Sequence, residues 1–263
     1  MQDKIKEITR YMRENKNKEI SIEMLAETFG YSKYYFSRQF KRYMGVSPNE
    51  YWASIRIEQM FIELEKNNSV LHAHLSLGYL SSGTFSNAFF ESTGMTPSLY
   101  KKSLNKFYRA MHLHEETDQR TYFHYSFDKD DYRTLQQHVL RIHVKTPESF
   151  KGTIFIGIFK KAISNHAPMV GKAMLSNKVT IIDRIPNGKY YVMAVAIPKG
   201  SAPLSYFHLD QAIRDINREP VTFPLKEDME MLLTLREKRD DDPPITVNPV
   251  KLLLNAIKEG NVE

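Results

Sequence analysis

The chain has 263 residues, enough for two domains, and its 41% hydrophobic and 26% charged content belongs to folded rather than disordered chains. It has no cysteine, which excludes a disulfide framework, zinc–thiolate centres and a thiol nucleophile. The net charge of +6 is uneven: residues 1–110 hold 16 Lys and Arg against 11 Asp and Glu, and residues 111–263 hold 21 against 20. A basic excess concentrated in the first part suits a polyanionic partner. The opening stretch, MQDKIKEITRYMRENKNKEI, is too charged for a secretory leader. The longest apolar runs, such as Tyr190–Ile197, are too short to span a bilayer. The expectation is a soluble, cytoplasmic protein with no membrane partner.

Along the chain, the first strong pattern starts at Ser21. Ile22, Leu25, Ala26 and Phe29 recur at helical spacing, Ser21 is placed to cap their helix, and Gly30 to end it in a left-handed conformation. Tyr31 anchors the turn, Ser32 opens the next helix, Lys33–Tyr43, and Phe36 and Phe40 point inward one turn apart. Two helices joined by a short turn containing Gly make a helix-turn-helix. Ser47-Pro48 then starts a longer helix reaching about Lys66, with Pro in its permitted first position and Tyr51, Trp52, Ile55, Met60 and Leu64 able to furnish buried faces.

The same unit returns. FGYSKYYFSRQFKRYMGVSPNEY at 29–51 repeats as LGYLSSGTFSNAFFESTGMTPSLY at 77–100, after a one-residue insertion that sets a constant offset of 49. Phe36, Phe40, Gly45, Pro48 and Tyr51 thus correspond to Phe85, Phe89, Gly94, Pro97 and Tyr100. The second copy starts near Ser69, runs through Val70, Leu71, Ala73, Leu75 and Leu77 to Gly78, and places a second exposed helix at Gly83–Thr93 behind Ser81-Ser82. The four phenylalanines read as core.

These strings, GYSKYYFSRQFK, GVSPNEYWASIRIE and GYLSSGTFSNAF…GMTPSLY, resemble the DNA-binding domain of the AraC/XylS family of bacterial transcription regulators over roughly Lys4–Lys102. The resemblance implies an all-α tandem helix-turn-helix domain whose two recognition helices enter successive major grooves of double-stranded DNA. It implies base reading by Tyr34, Ser37 and Arg38 in the first copy and by Gly83, Thr84, Ser86 and Asn87 in the second. Ser32, Lys33, Lys41 and Arg42, with Ser81 and Ser82, fall near phosphates. It further implies RNA polymerase as a partner, association with the nucleoid, and a regulator, expected to be an activator. The chemistry of these residue types agrees, since Arg bonds guanine O6 and N7 bidentately and hydroxyl or Lys contacts to phosphate set register. The second copy departs from the pattern: Asn87, Glu91 and Ser92 stand where basic residues are common, His74 where a small one is usual, and residues 83–93 contain no Lys or Arg.

The domains are expected at 1–105, with a linker over 106–137 and a β-rich domain at 138–263. In the latter, VLRIHV (139–144), GTIFIGIF (152–159), Val179–Ile182, Lys189–Ile197, Pro220–Phe223 and Met229–Leu235 read as strands, with a turn at Pro186-Asn187-Gly188 and a single helix at Asp210–Asn217. The spacing predicts a mainly-β sandwich, with a mixed α/β sensor domain as the alternative. GTIFIGIFKK followed by IPNGKYYVMAVAIP resembles the closing hairpins of carboxypeptidase-regulatory-like, transthyretin-like sandwiches, which implies a module sensing a ligand or partner. The alternative is a dimerisation or protein-interaction module with no small-molecule ligand.

No catalytic motif stands out, so a non-enzyme with no cofactor is expected. His112, His114, Glu115 and Glu116 carry ligand chemistry, but the order HLHEE matches no zinc pattern and reads as a linker or a fraying helix end. Asp240–Asp242, followed by Pro, reads as a surface turn.

Overall fold

A computed structural model describes residues 4–18, 20–66, 69–79, 81–117, 121–126, 137–164, 167–175, 179–200, 209 and 212–261. The chain divides into two compact units: residues 1–102 with 161–166 and 239–247, and residues 103–160, 167–238 and 248–263.

The first unit is helical: α1 (Ile5–Glu14), α2 (Ile22–Thr28), α3 (Lys33–Met44), α4 (Pro48–Lys66), α5 (Val70–Ser76), α6 (Ser82–Thr93) and the start of α7 (Pro97–Thr117). Serines open the helices of both helix-turn-helix copies. Ser21, Ser32, Ser69 and Ser81 accept from the backbone N–H of Met24, Tyr35, His72 and Thr84 at 3.2, 3.4, 3.1 and 3.1 Å, each cap contributing about 1 kcal/mol. The turns also match. Gly30 and Gly78 sit at φ 76° and 70°, and the next N–H reaches back, Tyr31 to the Ala26 carbonyl (2.9 Å) and Tyr79 to that of His74 (3.2 Å). A side chain at either glycine would strain this left-handed closure.

Phe36, Phe40, Phe85 and Phe89 are fully buried. The repeat extends to ring packing: Phe40 meets Tyr51 edge-on at 5.5 Å, and Phe89 meets Tyr100 at 5.6 Å. From α4, Phe61 enters the second core, 5.1 Å from Phe89 and 5.2 Å from Tyr100. Trp52 is half-buried. Leu71 and Leu75 of α5 are 58% exposed each, because the buried stripe of this short helix falls on Ala73 and His74.

The second unit is mainly β. Strands β1 (Tyr122–Tyr125), β4 (Val170–Met174), β3 (Gly152–Phe159), β6 (Gly188–Pro198) and β7 (Ile213–Ile216) lie side by side in that order, all antiparallel, and β8 (Val221–Phe223) also pairs with β6. A second sheet orders β5 (Val179–Ile182), β2 (Leu140–Lys145) and β9 (Met229–Thr234), with β2 and β9 parallel. Leu140, Ile142, Val144, Met231 and Leu233 of the smaller sheet share one apolar core with Ile154, Ile156, Ile158, Val192 and Ala194 of the larger. The period-two burial of β2 therefore has the sandwich meaning its sequence suggests.

One helical reading changes and one unexpected helix is added. Within the helix expected at Asp210–Asn217, Ile213–Ile216 is a strand instead and pairs with Met193–Ala196 of β6. Four residues of weak propensity gain more from the ladder of a long neighbouring strand than from one helical turn. Residues 249–259 form a helix, α8, capped by Asn248, which accepts from Lys251 N–H at 3.0 Å. It packs against β1, and Phe123 N–H bonds the Asn261 carbonyl. Within the span expected to be a linker, α7 continues to Thr117 and 122–125 is a strand, while residues 127–136 lie outside the described residues.

Candidate nucleic-acid interface

The helix α3 presents one face outward because its other face is fixed by Phe36, Phe40 and Met44. Tyr34 is 87% exposed, a large aromatic held in solvent. Ser32, Lys33, Arg38, Lys41 and Arg42 are exposed beside it, and Ser37 is half-buried. The Lys33 ammonium pairs with the Glu23 carboxylate of α2. This contact raises Lys33 above its ordinary pKa and lowers Glu23 below its own. A phosphate would have to draw Lys33 away from Glu23.

The equivalent helix of the second copy, α6, exposes Ser81, Ser82, Gly83, Thr84 and Asn87 and half-buries Ser86. The Thr84 hydroxyl lies 3.0 Å from that of Ser81, so the two share one hydrogen bond at the helix start. Neither α3 nor α6 has an acidic residue in its first turn, which leaves both N-terminal dipoles uncompensated and suited to anions. The α4 side chain of Arg56 stacks over the Tyr79 ring at 4.6 Å, fastening the turn of the second copy to the connector.

The helix-turn-helix family model matches residues 25–103. A probable transcription factor, PqrA of Proteus vulgaris, is 32% identical over 89 residues, 34% of this chain and 73% of that protein. The chain belongs to the AraC family of helix-turn-helix regulators. An uncharacterised helix-turn-helix regulator of Bacillus subtilis, YobQ, is 35% identical over 86 residues, 32% of this chain and 36% of that one. The crystal structure of an AraC-type transcriptional regulator from Chromobacterium violaceum aligns with 39% of this chain and 92% of its own, at 25% identity and a TM-score of 0.36. The chain spans about a third of the length of several curated relatives it matches, 36%, 34% and 28% in three of them.

Part of the helical unit lies outside the contiguous stretch 1–102. Residues 161–166 and 239–247 belong to the helical unit. Asp242, expected in a surface turn, is buried. The signal available was slight: a Pro-flanked acidic run matches a solvated turn equally well, and its partners, Arg10 and Arg13, lie more than 225 residues away. Among the described residues no group of three or more His, Cys, Asp or Glu is placed to hold a metal ion, and no helix is long and apolar enough to cross a membrane. The His114–Glu116 side chains lie outside the described ones.

Proposed function

We propose that this AraC-family chain is a sequence-specific, double-stranded-DNA-binding transcription regulator in which α3 and α6 enter successive major grooves. The observation that carries this reading is the pair of serine-capped helices, each anchored by two buried phenylalanines and each holding an outward face clear of the core. Tyr34, Ser37 and Arg38 then read bases in one groove, and Gly83, Thr84, Ser86 and Asn87 in the next. Ser32, Lys33, Lys41, Arg42, Ser81 and Ser82 hold phosphates. The basic residues of α3 and their lack in α6 make the first copy the main source of affinity, through phosphate neutralisation and bidentate guanine contact. Family membership further suggests activation through RNA polymerase, with the β unit responding to a small effector or a second copy of the chain.

Selection of bound sites from random duplexes tests the reading. The full chain should enrich one bipartite site with its halves about one helical turn, roughly 34 Å, apart. Binding should fall steeply with salt. Enrichment of no site at low salt would overturn it.

A further inference from the structure

The two copies differ in where their buried tyrosine hydroxyl goes. Tyr100 donates to the Glu65 carboxylate of α4 at 2.9 Å. Tyr51, its counterpart 49 residues earlier, packs on Phe40 in the same manner, but its hydroxyl donates to the Asp242 carbonyl at 2.9 Å. Burial pushes the Tyr51 hydroxyl up to about 12, so it remains a donor. Arg13 of α1 donates to the same Asp242 carbonyl at 2.7 Å and to the Tyr51 oxygen at 3.3 Å. Its other terminal nitrogen meets Glu58 of α4 at 2.9 Å. The second Glu58 oxygen accepts the Ile245 N–H at 3.1 Å. At the rim, Arg10 bonds Asp240 at 2.6 Å. Residues 239–247 are themselves tied to Ser164, the Thr246 hydroxyl donating to the Ser164 carbonyl at 2.7 Å.

We infer that residues 239–247 are a working part of the first helix-turn-helix copy: a brace that completes the buried polar layer beneath α3, with Tyr51 and Glu58 as its positioning residues. A buried hydroxyl or guanidinium without a partner is costly, so Tyr51, Arg13 and Glu58 favour the state in which the brace is seated. The chain enters this segment soon after β9 and leaves it into α8, both in the second unit. A shift of residues 239–247 therefore reaches Tyr51, and through its ring Phe40 and the setting of α3. In the second copy the matching hydroxyl donates to Glu65 of α4. The regulatory meaning rests on α3 reading DNA; the brace itself does not.

The test is amide hydrogen exchange on the full chain, comparing Tyr51→Phe with Tyr100→Phe. Each change removes one buried hydroxyl and keeps its ring. Tyr51→Phe should speed exchange in 239–247 and α3 about tenfold. Tyr100→Phe should leave 239–247 at the parental rate. On the selected duplex, Tyr51→Phe should lower affinity about tenfold with an unchanged salt slope, because phosphate contacts are kept and only their setting is lost. Unchanged exchange at 239–247 in Tyr51→Phe, or equal acceleration by Tyr100→Phe, overturns the brace. Should Tyr51→Phe fail to fold, Glu58→Gln replaces it: faster exchange at Ile245 supports the brace and an unchanged rate sinks it. Faster exchange in a chain that binds no duplex leaves the brace standing and removes the DNA reading instead.

Discussion

Arg13 and Glu58 form an ion pair closed at 2.9 Å, their side chains only 16% and 5% exposed. Burial pulls the Arg13 guanidinium toward lower pKa, and Tyr51 and Glu58 more than reverse it, leaving Arg13 above its ordinary value. Such a pair contributes little over a well-packed apolar one, but breaking it from one side strands a charge. Glu58→Ala should therefore cost about 3 kcal/mol or more in urea unfolding. The double change Arg13→Met with Glu58→Met should cost less than the two single changes added together. A loss under about 0.5 kcal/mol for Glu58→Ala, the range of ordinary surface substitutions, would contradict the pairing.

The matched ring contacts Phe40–Tyr51 and Phe89–Tyr100 predict matched energetics. Phe40→Ala and Phe89→Ala should each lose about 3–5 kcal/mol, since both rings are fully buried and leave a cavity. Thermal unfolding of the full chain checks this. A mild loss at one site only would mean that the repeat seen in sequence is not a repeat in packing.

How far the chain could be read from its residues follows from how local each signal is. Ser21, Ser32, Ser69 and Ser81, the glycines at 30 and 78, and the phenylalanine pairs act within one turn of themselves, so spacing revealed both copies. The strand Leu140–Lys145 was equally legible from alternation. Ile213–Ile216 was not, because its conformation depends on a partner, Met193–Ala196, about 20 residues away in sequence. The helix at 249–259 did carry signals, Asn248-Pro249 before it and Gly260 after it, but its apolar run is equally compatible with a strand. Asp242 was illegible for a different reason: its carbonyl accepts from Arg13 and Tyr51, and a backbone acceptor leaves no mark in the choice of residue.

Gly83 occupies the second position of α6 with ordinary backbone, and a Cβ built there meets nothing nearer than the Ser81 hydroxyl at 3.8 Å. Alanine should therefore raise stability, by up to about 1 kcal/mol. If Gly83 lies against a base edge, the same methyl should weaken duplex binding. Urea unfolding and a duplex titration of one Gly83→Ala preparation measure both, and a loss of stability would mean that α6 starts differently.

Glu50 caps α4 in a reciprocal box with Ser47, accepting the Ser47 N–H at 3.0 Å while the Ser47 hydroxyl accepts the Glu50 N–H at 3.3 Å. Its carboxyl is pulled from 4.5 to about 2, first by the Lys161 ammonium and then by Ser47, against partial burial. A carboxylate depressed on folding adds stability above its unfolded pKa and loses it as pH falls from about 4.5 to 2. The side chain is 36% exposed, so solvent screens the effect. The Tm advantage of the parent over Glu50→Gln should be present at pH 6 and shrink on acidification through that window. An advantage independent of pH would assign Glu50 a capping role without the charge.

The division of labour between α3 and α6 gives the sharpest prediction. Arg38 is exposed on a helix that also carries Lys33, Lys41 and Arg42, while α6 carries Glu91 and no base. Arg38→Ala should cost about 1–3 kcal/mol on the selected duplex and relax preference at one base pair. Lys41→Ala should weaken all duplexes alike and reduce the salt slope by about one ion. Asn87→Ala should cost less than Arg38→Ala, because a single amide on a helix without basic residues reads a base but does not neutralise phosphate. Binding isotherms for the three variants at two salt concentrations separate these outcomes. Equal losses for Asn87→Ala and Arg38→Ala would place the second copy on a par with the first, and affinity would then depend on shape and amide contacts rather than on charge.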